Sequence, residues 1–328
     1  MRIQSQLCAA ALLLAACADD THPADSVAEL NEDSAIAETE ATAVAEESLL
    51  TWSDLLGRPL PQPDVSVTTG PGATDIVDVW IPVGESPFPT VLMIHGGCWQ
   101  KEIADRTLMN YAADALRDEG MAVWNIEYRG VDEEGGGYPG TFLDVARAVD
   151  ALKDKGPALG LDTSNVVATG HSAGGHLALW AAARPNIAEQ SPLYEDAPFV
   201  TEAVMNIGGL ADLEASAPVT EAGCLSDIMD LLTGPSSTGR VDAFSDTSPA
   251  ALLPLGVRQI IVNSARDRIA PPQLGQGYTA KATAAGDDAE YIEVPGGHVE
   301  LVAPGTPAFD RQVQILKGLL GLDTGSAE

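Results

Sequence analysis

Residues 165–184 read NVVATGHSAGGHLALWAAAR, and the fold turns on what happens in the middle of this stretch. The run NVVAT is apolar and rich in β-branched residues, as suits a buried strand. The run from His176 through Leu179 and Ala183 reads as a helix. Between them stands Gly170-His171-Ser172-Ala173-Gly174, with one glycine two places before the serine and one two places after it. Glycines there leave room for a turn too sharp for bulky side chains. The Ser172 hydroxyl is therefore expected above the edge of a sheet, at the positive end of a helix.

Working outward, apolar runs alternate with helical patterns. Strands are expected in DVSV, DIVDVWIP, TVLMIHGG, MAVWNIEYR, NVVATG, AVMNIGG, RQIIVNSA and AEYIEVP. Helical spacing appears in TLMNYAADALRDEG, FLDVARAVDALKDKG, GHLALWAAAR, LGQGYTAKATAAG and FDRQVQILKGLLG. Strands recurring with helices between them imply an α/β fold, with a mainly parallel central sheet of about eight strands and helices on both faces. Too few residues separate the first two strands for a helical crossover, so they should pair antiparallel. Residues 210–255, rich in Pro, Ser, Gly and acids, read as an excursion or lid over the C-terminal edge of the sheet, with a short helix near CLSDIMDLLTG. Ligands of open α/β sheets bind at that edge.

A serine hydroxyl is a poor nucleophile until a base takes its proton. The chain has five histidines. His22 lies near the N-terminus, His95 precedes a glycine pair, and His171 and His176 flank the serine. His298, in the late loop VPGGHVEL, is the expected general base. The acid that orients it should fall between Ser172 and His298 in chain order. Asp267 in SARDRIAPP is favoured and Asp212 in GGLADLE is the rival. The strand ending in HGG at residues 95–97 should present backbone N–H groups of Gly97 and Cys98, joined by that of Ala173, to an oxyanion. His95 is expected to prop this loop. Trp99 and His171 are the candidates for the wall of a substrate pocket.

The chain carries 48 Asp and Glu against 17 Lys and Arg, a formal charge of −31. A polyanion lacks the cations that neutralise phosphates, so nucleic acid is excluded as a partner. The opening MRIQSQLCAAALLLAACADD has a short apolar run, too short to span a bilayer, ahead of small residues and a cysteine. It has the shape of an export signal over residues 1–17, and its LLAAC resembles a bacterial lipoprotein lipobox, which implies a lipid on Cys17. That places the protein in the cell envelope, with its N-terminal lipid as the sole membrane contact; a soluble periplasmic or secreted form is the alternative. Residues 18–50 hold ten acids and no aromatic residue in 18–48, too little apolar surface to offset ordering entropy. They read as a tether ahead of a domain over 51–323. With Cys17 lipidated, Cys98 and Cys224 either form one disulfide or remain two buried thiols. No Cys/His spacing suggests a metal site.

Residues 60–320 as a set resemble the α/β-hydrolase superfamily. Within it, HGGCW together with GHSAGGHLALW is similar to hormone-sensitive-lipase-like esterases, and more so to the kynurenine-formamidase-like and feruloyl or acetyl esterase-like branch. Cys98 stands where that branch has a third glycine or an aromatic residue. The resemblance implies acyl-enzyme chemistry on Ser172, Asp267 and His298 with no metal and no organic cofactor. A carboxylesterase acting on a small-molecule ester is the first expectation. Arylformamide hydrolysis is the alternative, and a hydrolase-fold binding protein without catalysis is the reading from another class.

Overall fold

A computed structural model describes residues 48–220, 224–237 and 240–322. The expected signal segment, Cys17, His22 and nearly all of the expected tether lie outside these residues. Eight strands form one sheet: β1 (Val65–Thr68), β2 (Ile76–Trp80), β3 (Phe88–Ile94), β4 (Ala122–Ile126), β5 (Leu161–His171), β6 (Ala203–Ile207), β7 (Arg258–Ser264) and β8 (Ala289–Val294). Their order is β1-β2-β4-β3-β5-β6-β7-β8. The pairs β1/β2 and β2/β4 are antiparallel and every other pair is parallel. The eight expected strands are all present, including the antiparallel start that short linkers dictate.

Helices cover both faces, as a parallel sheet requires. On one face lie α2 (Asn110–Asp118) and α8 (Pro307–Leu319). On the other lie α3 (Gly140–Lys155), α4 (Ala173–Ala183) and α7 (Pro272–Ala285). The strands serve both layers by their two-residue period. In β3, Leu92 and Ile94 join the α3/α4 side while Val91 and Met93 join the α2/α8 side. Helix α4 is buried along its whole length, because α3 and the excursion enclose the side turned from the sheet.

The excursion contains α5 (Leu213–Ser216) and α6 (Leu225–Thr233). Asp246 fastens it: its carboxylate accepts from Arg240 Nε at 2.7 Å, Tyr138 Oη at 2.9 Å and Ser191 Oγ at 2.6 Å. Helix α4 adds two bonds, from Trp180 Nε1 to the Asp246 carbonyl at 2.8 Å and from His176 Nε2 to the Thr247 carbonyl at 2.7 Å. Because Arg240, Trp180 and His176 are themselves buried, breaking any of their bonds would strand a polar group. A disulfide, Cys98–Cys224, adds a covalent tie from the loop after β3 to the start of α6. The pairing that the sequence left open is thus made. Ahead of the sheet lies a short helix absent from the sequence reading, α1 (Trp52–Leu56), opened by a Thr51/Asp54 capping box.

Candidate active site

Strand β5 stops at His171 because the backbone turns abruptly at Ser172, which sits at φ 55°, ψ −120°. Positive φ at a residue with a Cβ costs about 1–3 kcal/mol and persists only where the surroundings impose it. Here they do: the Ser172 N–H donates to the Ile207 carbonyl at 3.0 Å. A Cβ at residue 170 would lie 2.1 Å from the Gly174 carbonyl oxygen, and one at 174 would lie 2.1 Å from that of Ile94. Glycine is therefore required on both sides of the serine. The turn raises Ser172 at the start of α4, where the first N–H groups of the helix have no intrahelical acceptor.

The loop after β3 closes against this elbow. A Cβ on Gly96 would fall 3.2 Å from Ser172 Cβ and 2.9 Å from His171 Nδ1. Gly97, Cys98 and Trp99 have positive φ of 107°, 50° and 55°. The N–H groups of Gly97, Cys98 and Ala173 donate to no described residue, so donors from two elements flank the serine with their protons uncommitted. Beneath the loop, His95 Nδ1 meets the Gly96 carbonyl at 2.7 Å and Nε2 meets Glu127 Oε1 at 2.9 Å. The His95 ring stacks on Tyr128, whose hydroxyl donates to the His95 carbonyl at 3.0 Å. Burial would raise the Glu127 carboxyl, but His95 and Lys101 outweigh it and hold the group well below the usual range. A charged carboxylate this deep persists because its oxygens are paired and hydrogen-bonded. His95 accordingly sits as a prop for the loop.

Across the sheet edge, His298 Nδ1 donates to Asp267 Oδ2 at 2.6 Å. Both residues are buried. Asp267 Oδ1 accepts from the N–H groups of Ile269 at 2.8 Å and Ala270 at 2.9 Å, which fixes the carboxylate plane. Asp212 is elsewhere engaged: it caps α5 through Ala215 N and pairs with Lys281 Nζ at 2.5 Å. His298 lies against the elbow, its ring centroid 4.3 Å from that of His171. Gly208, whose amide follows the Ile207 carbonyl that holds Ser172, would carry a Cβ 3.4 Å from His298 Cε1 and 3.3 Å from Asp267 Oδ2. His298 and Asp267 thus meet beside the elbow that carries Ser172.

The two pocket expectations need correction. Trp99 is fully buried; its Nε1–H donates to His176 Nδ1 at 3.2 Å and its ring stands edge-on to that imidazole. The positive φ at residues 98 and 99 turns the indole inward, into the layer between the sheet and α3. His171 is also buried, and its Nε2–H donates to the His298 carbonyl at 3.1 Å. It supports His298 and offers no surface to a ligand. Burial pushes its basicity well below the ordinary histidine value, with the neighbouring His298 acting in the same direction. Among the described residues, no cluster of three or more His, Cys, Asp or Glu could hold a metal ion.

Three residues near the site escaped the sequence reading. Trp52 stands edge-on to both His171, at 6.0 Å, and His298, at 6.3 Å. Glu300 accepts from Gly297 N at 3.0 Å. Glu127 underlies the loop after β3. The capping box in TWSD was the one local signal for α1, masked by its position directly after the acidic stretch.

The BD-FAE family model matches residues 77–281, a span that includes the loop after β3, the elbow and Asp267. A probable carboxylic ester hydrolase, LipM, of Mycobacterium tuberculosis (strain ATCC 25618 / H37Rv) is 26% identical over 194 residues, 58% of this chain and 44% of that protein. The chain therefore spans less than half the length of this relative. Among solved structures, esterase B from Lactobacillus rhamnosis superposes with a TM-score of 0.66 at 20% identity, covering 80% of this chain and 87% of that one. A truncated carbohydrate esterase from gut microbiota gives 0.64 at 18% identity, covering 79% and 98%. Thermogutta terrifontis esterase 2 phosphonylated by sarin gives 0.63 at 16% identity, covering 80% and 96%. These likenesses establish the fold.

Proposed function

The chain belongs to the BD-FAE family and is an α/β-hydrolase of the esterase/lipase branch, and from this premise we propose that it hydrolyses carboxylic esters through an acyl-enzyme on Ser172. The observation that carries the reading is the 2.6 Å bond from His298 Nδ1 to a buried, doubly anchored Asp267 beside the strained serine elbow. With Nδ1–H committed to Asp267, Nε2 is the basic nitrogen. It takes the Ser172 proton as Oγ bonds to the ester carbonyl carbon, and the carbonyl oxygen becomes an oxyanion. The N–H groups of Gly97, Cys98 and Ala173 receive that charge, and each such donor is typically worth about 3–4 kcal/mol of barrier. Collapse breaks the bond to the alkoxide, which leaves with the proton from His298. A water then gives its proton to the same nitrogen as it attacks the acyl carbon; the bond from that carbon to Ser172 Oγ breaks, Oγ takes the proton back from His298, and the acid is released.

Ester cleavage is preferred over arylformamide cleavage because the relative bears the name of a carboxylic ester hydrolase. The experiment is turnover of p-nitrophenyl acetate, butyrate and octanoate beside N-formylkynurenine, by the wild type and by Ser172→Ala. Ester turnover lost in the variant supports the proposal. Dominant formamide cleavage refutes it, and absence of all turnover favours the binding-protein reading. Export and lipidation of Cys17 complete the proposal, on the strength of the leader-like opening and LLAAC; acyl chains contribute about 0.8 kcal/mol per buried CH₂. Cys17→Ala should then move the protein from the membrane fraction to the soluble one, and unchanged partitioning would refute the anchor.

A further inference from the structure

A histidine in a loop needs more than one hydrogen bond to hold its ring. The Nδ1–H bond to Asp267 tethers one atom of His298, and rotation about the Cα–Cβ and Cβ–Cγ bonds remains to be restricted. The loop that carries it, from Gly296 to Pro304, meets residues 49–58 at several points. Glu300 joins the two backbones through a single carboxylate: Oε1 accepts from Leu50 N at 2.7 Å and Oε2 from Gly297 N at 3.0 Å, one residue before the base. A Cβ on Gly297 would lie 3.1 Å from Leu49 Cδ1. Arg58 Nη1 donates to the Pro304 carbonyl at 3.0 Å. Trp52, only half-buried, sets its ring at 80° to His298 and 73° to His171. Helix α1 buries one residue, Leu55. Leu55 is fully buried and Leu50 and Trp52 pack against the same core cluster, which anchors the segment, while its bonds from Leu50 N and Arg58 Nη1 reach the loop that carries His298.

We propose that residues 49–58 form a strap that holds the general base in register, with Trp52 and Glu300 as positioning residues for His298. The inference rests on the assignment of His298 as base toward Ser172. Trp52 limits the swing of the imidazole from one side while His171 limits it from below, and Glu300 keeps Gly297 and hence the His298 backbone from drifting. Displacing a reacting group by about 1 Å is enough to cost on the order of 10²-fold in rate. The substrate does not touch these residues in this account, so the loss should fall on kcat and leave KM in place.

The test uses the full chain with Trp52→Ala, Trp52→Phe, Glu300→Ala and Glu300→Gln. Three quantities are read: kcat and KM on p-nitrophenyl butyrate, the thermal midpoint, and the low-field proton resonance of the His298 Nδ1–H bond to Asp267. The strap predicts a fall of kcat by about 10- to 100-fold in both alanine variants, KM within twofold, and a broadened or lost low-field resonance in folded protein. Trp52→Phe should recover most of the rate. If the alanine variants do not fold, Glu300→Gln, which strands one of two backbone donors, should still show a lowered kcat and a broadened resonance. The proposal is overturned if the resonance and kcat of folded variants match the wild type, or if lost activity merely tracks the unfolded fraction. The resonance is read without substrate. A wild type that turns over no ester while its variants lose the resonance would sink the catalytic assignment and leave the strap standing.

Discussion

Replacing Asp267 with asparagine should disable the enzyme through a proton, with little change in shape. Asp267 Oδ1 accepts from two backbone N–H groups, those of Ile269 and Ala270. An asparagine at this position must keep its carbonyl oxygen there, because turning the amide over would set its NH₂ against two donors. Its NH₂ then faces His298 Nδ1 across the 2.6 Å contact. Two donors cannot share that contact, so Nδ1 must become the acceptor and the ring proton must move to Nε2. The nitrogen meant to accept the Ser172 proton is then already protonated. A wrong tautomer of this kind typically costs about 10⁴-fold in kcat, or about 5 kcal/mol at 1.36 kcal/mol per decade. The assay is burst and steady-state release of p-nitrophenolate from the butyrate ester, with the thermal midpoint as a control for folding. An Asp267→Asn protein that folds and retains kcat within tenfold of the wild type would refute the tautomer argument, and with it the role given to Asp267.

Gly97→Ala places a Cβ 2.8 Å from Ala104 Cβ at a φ of 107°, which should displace an oxyanion donor and lower kcat about 10²- to 10³-fold; kinetics within threefold of wild type would count against that donor. Reduction of Cys98–Cys224, which closes a separation of 126 residues, should cost about 4–5 kcal/mol of stability by chain entropy and lower the turnover rate, since the oxyanion loop loses its tie to α6. Two free thiols before reductant, with equal rates and melting curves after it, would be the contrary result. His176, pushed down to about 4 by burial, is held neutral between Trp99 and the Thr247 carbonyl. The unfolded chain takes up its proton near 6.5 and the folded chain does not, so its contribution is complete above that pH and is lost as the pH falls toward 4, of order 3 kcal/mol in all. His171, depressed in the same direction, steepens the loss. Urea titrations across this window should show a shallower decline in His176→Gln, and identical slopes would contradict the assignment.

The strand and helix order was legible in the sequence because both depend on local periods: β-branched runs bounded by glycine, and apolar residues repeating at helical spacing. Ser172 was legible for a related reason, since a strand, two obligatory glycines and a helix leave a serine no other geometry. The choice of His298 and Asp267 followed from chain order around that elbow, and their mutual bond is a matter of distance that chain order cannot supply. Trp99 illustrates the limit. Beside HGG it looked like a pocket wall, yet the backbone turn at residues 98 and 99 sends the indole into the core, and no pattern in a neighbouring residue encodes that turn. His171 misled in the same way, because its partner is a carbonyl 127 residues away. The Cys98–Cys224 bond, the Glu127 support under the loop after β3 and the contact of Trp52 with His298 all join segments far apart in the chain. Their existence depends on how layers stack, which is a property of the folded whole; the local periods that place strands and helices carry no record of it.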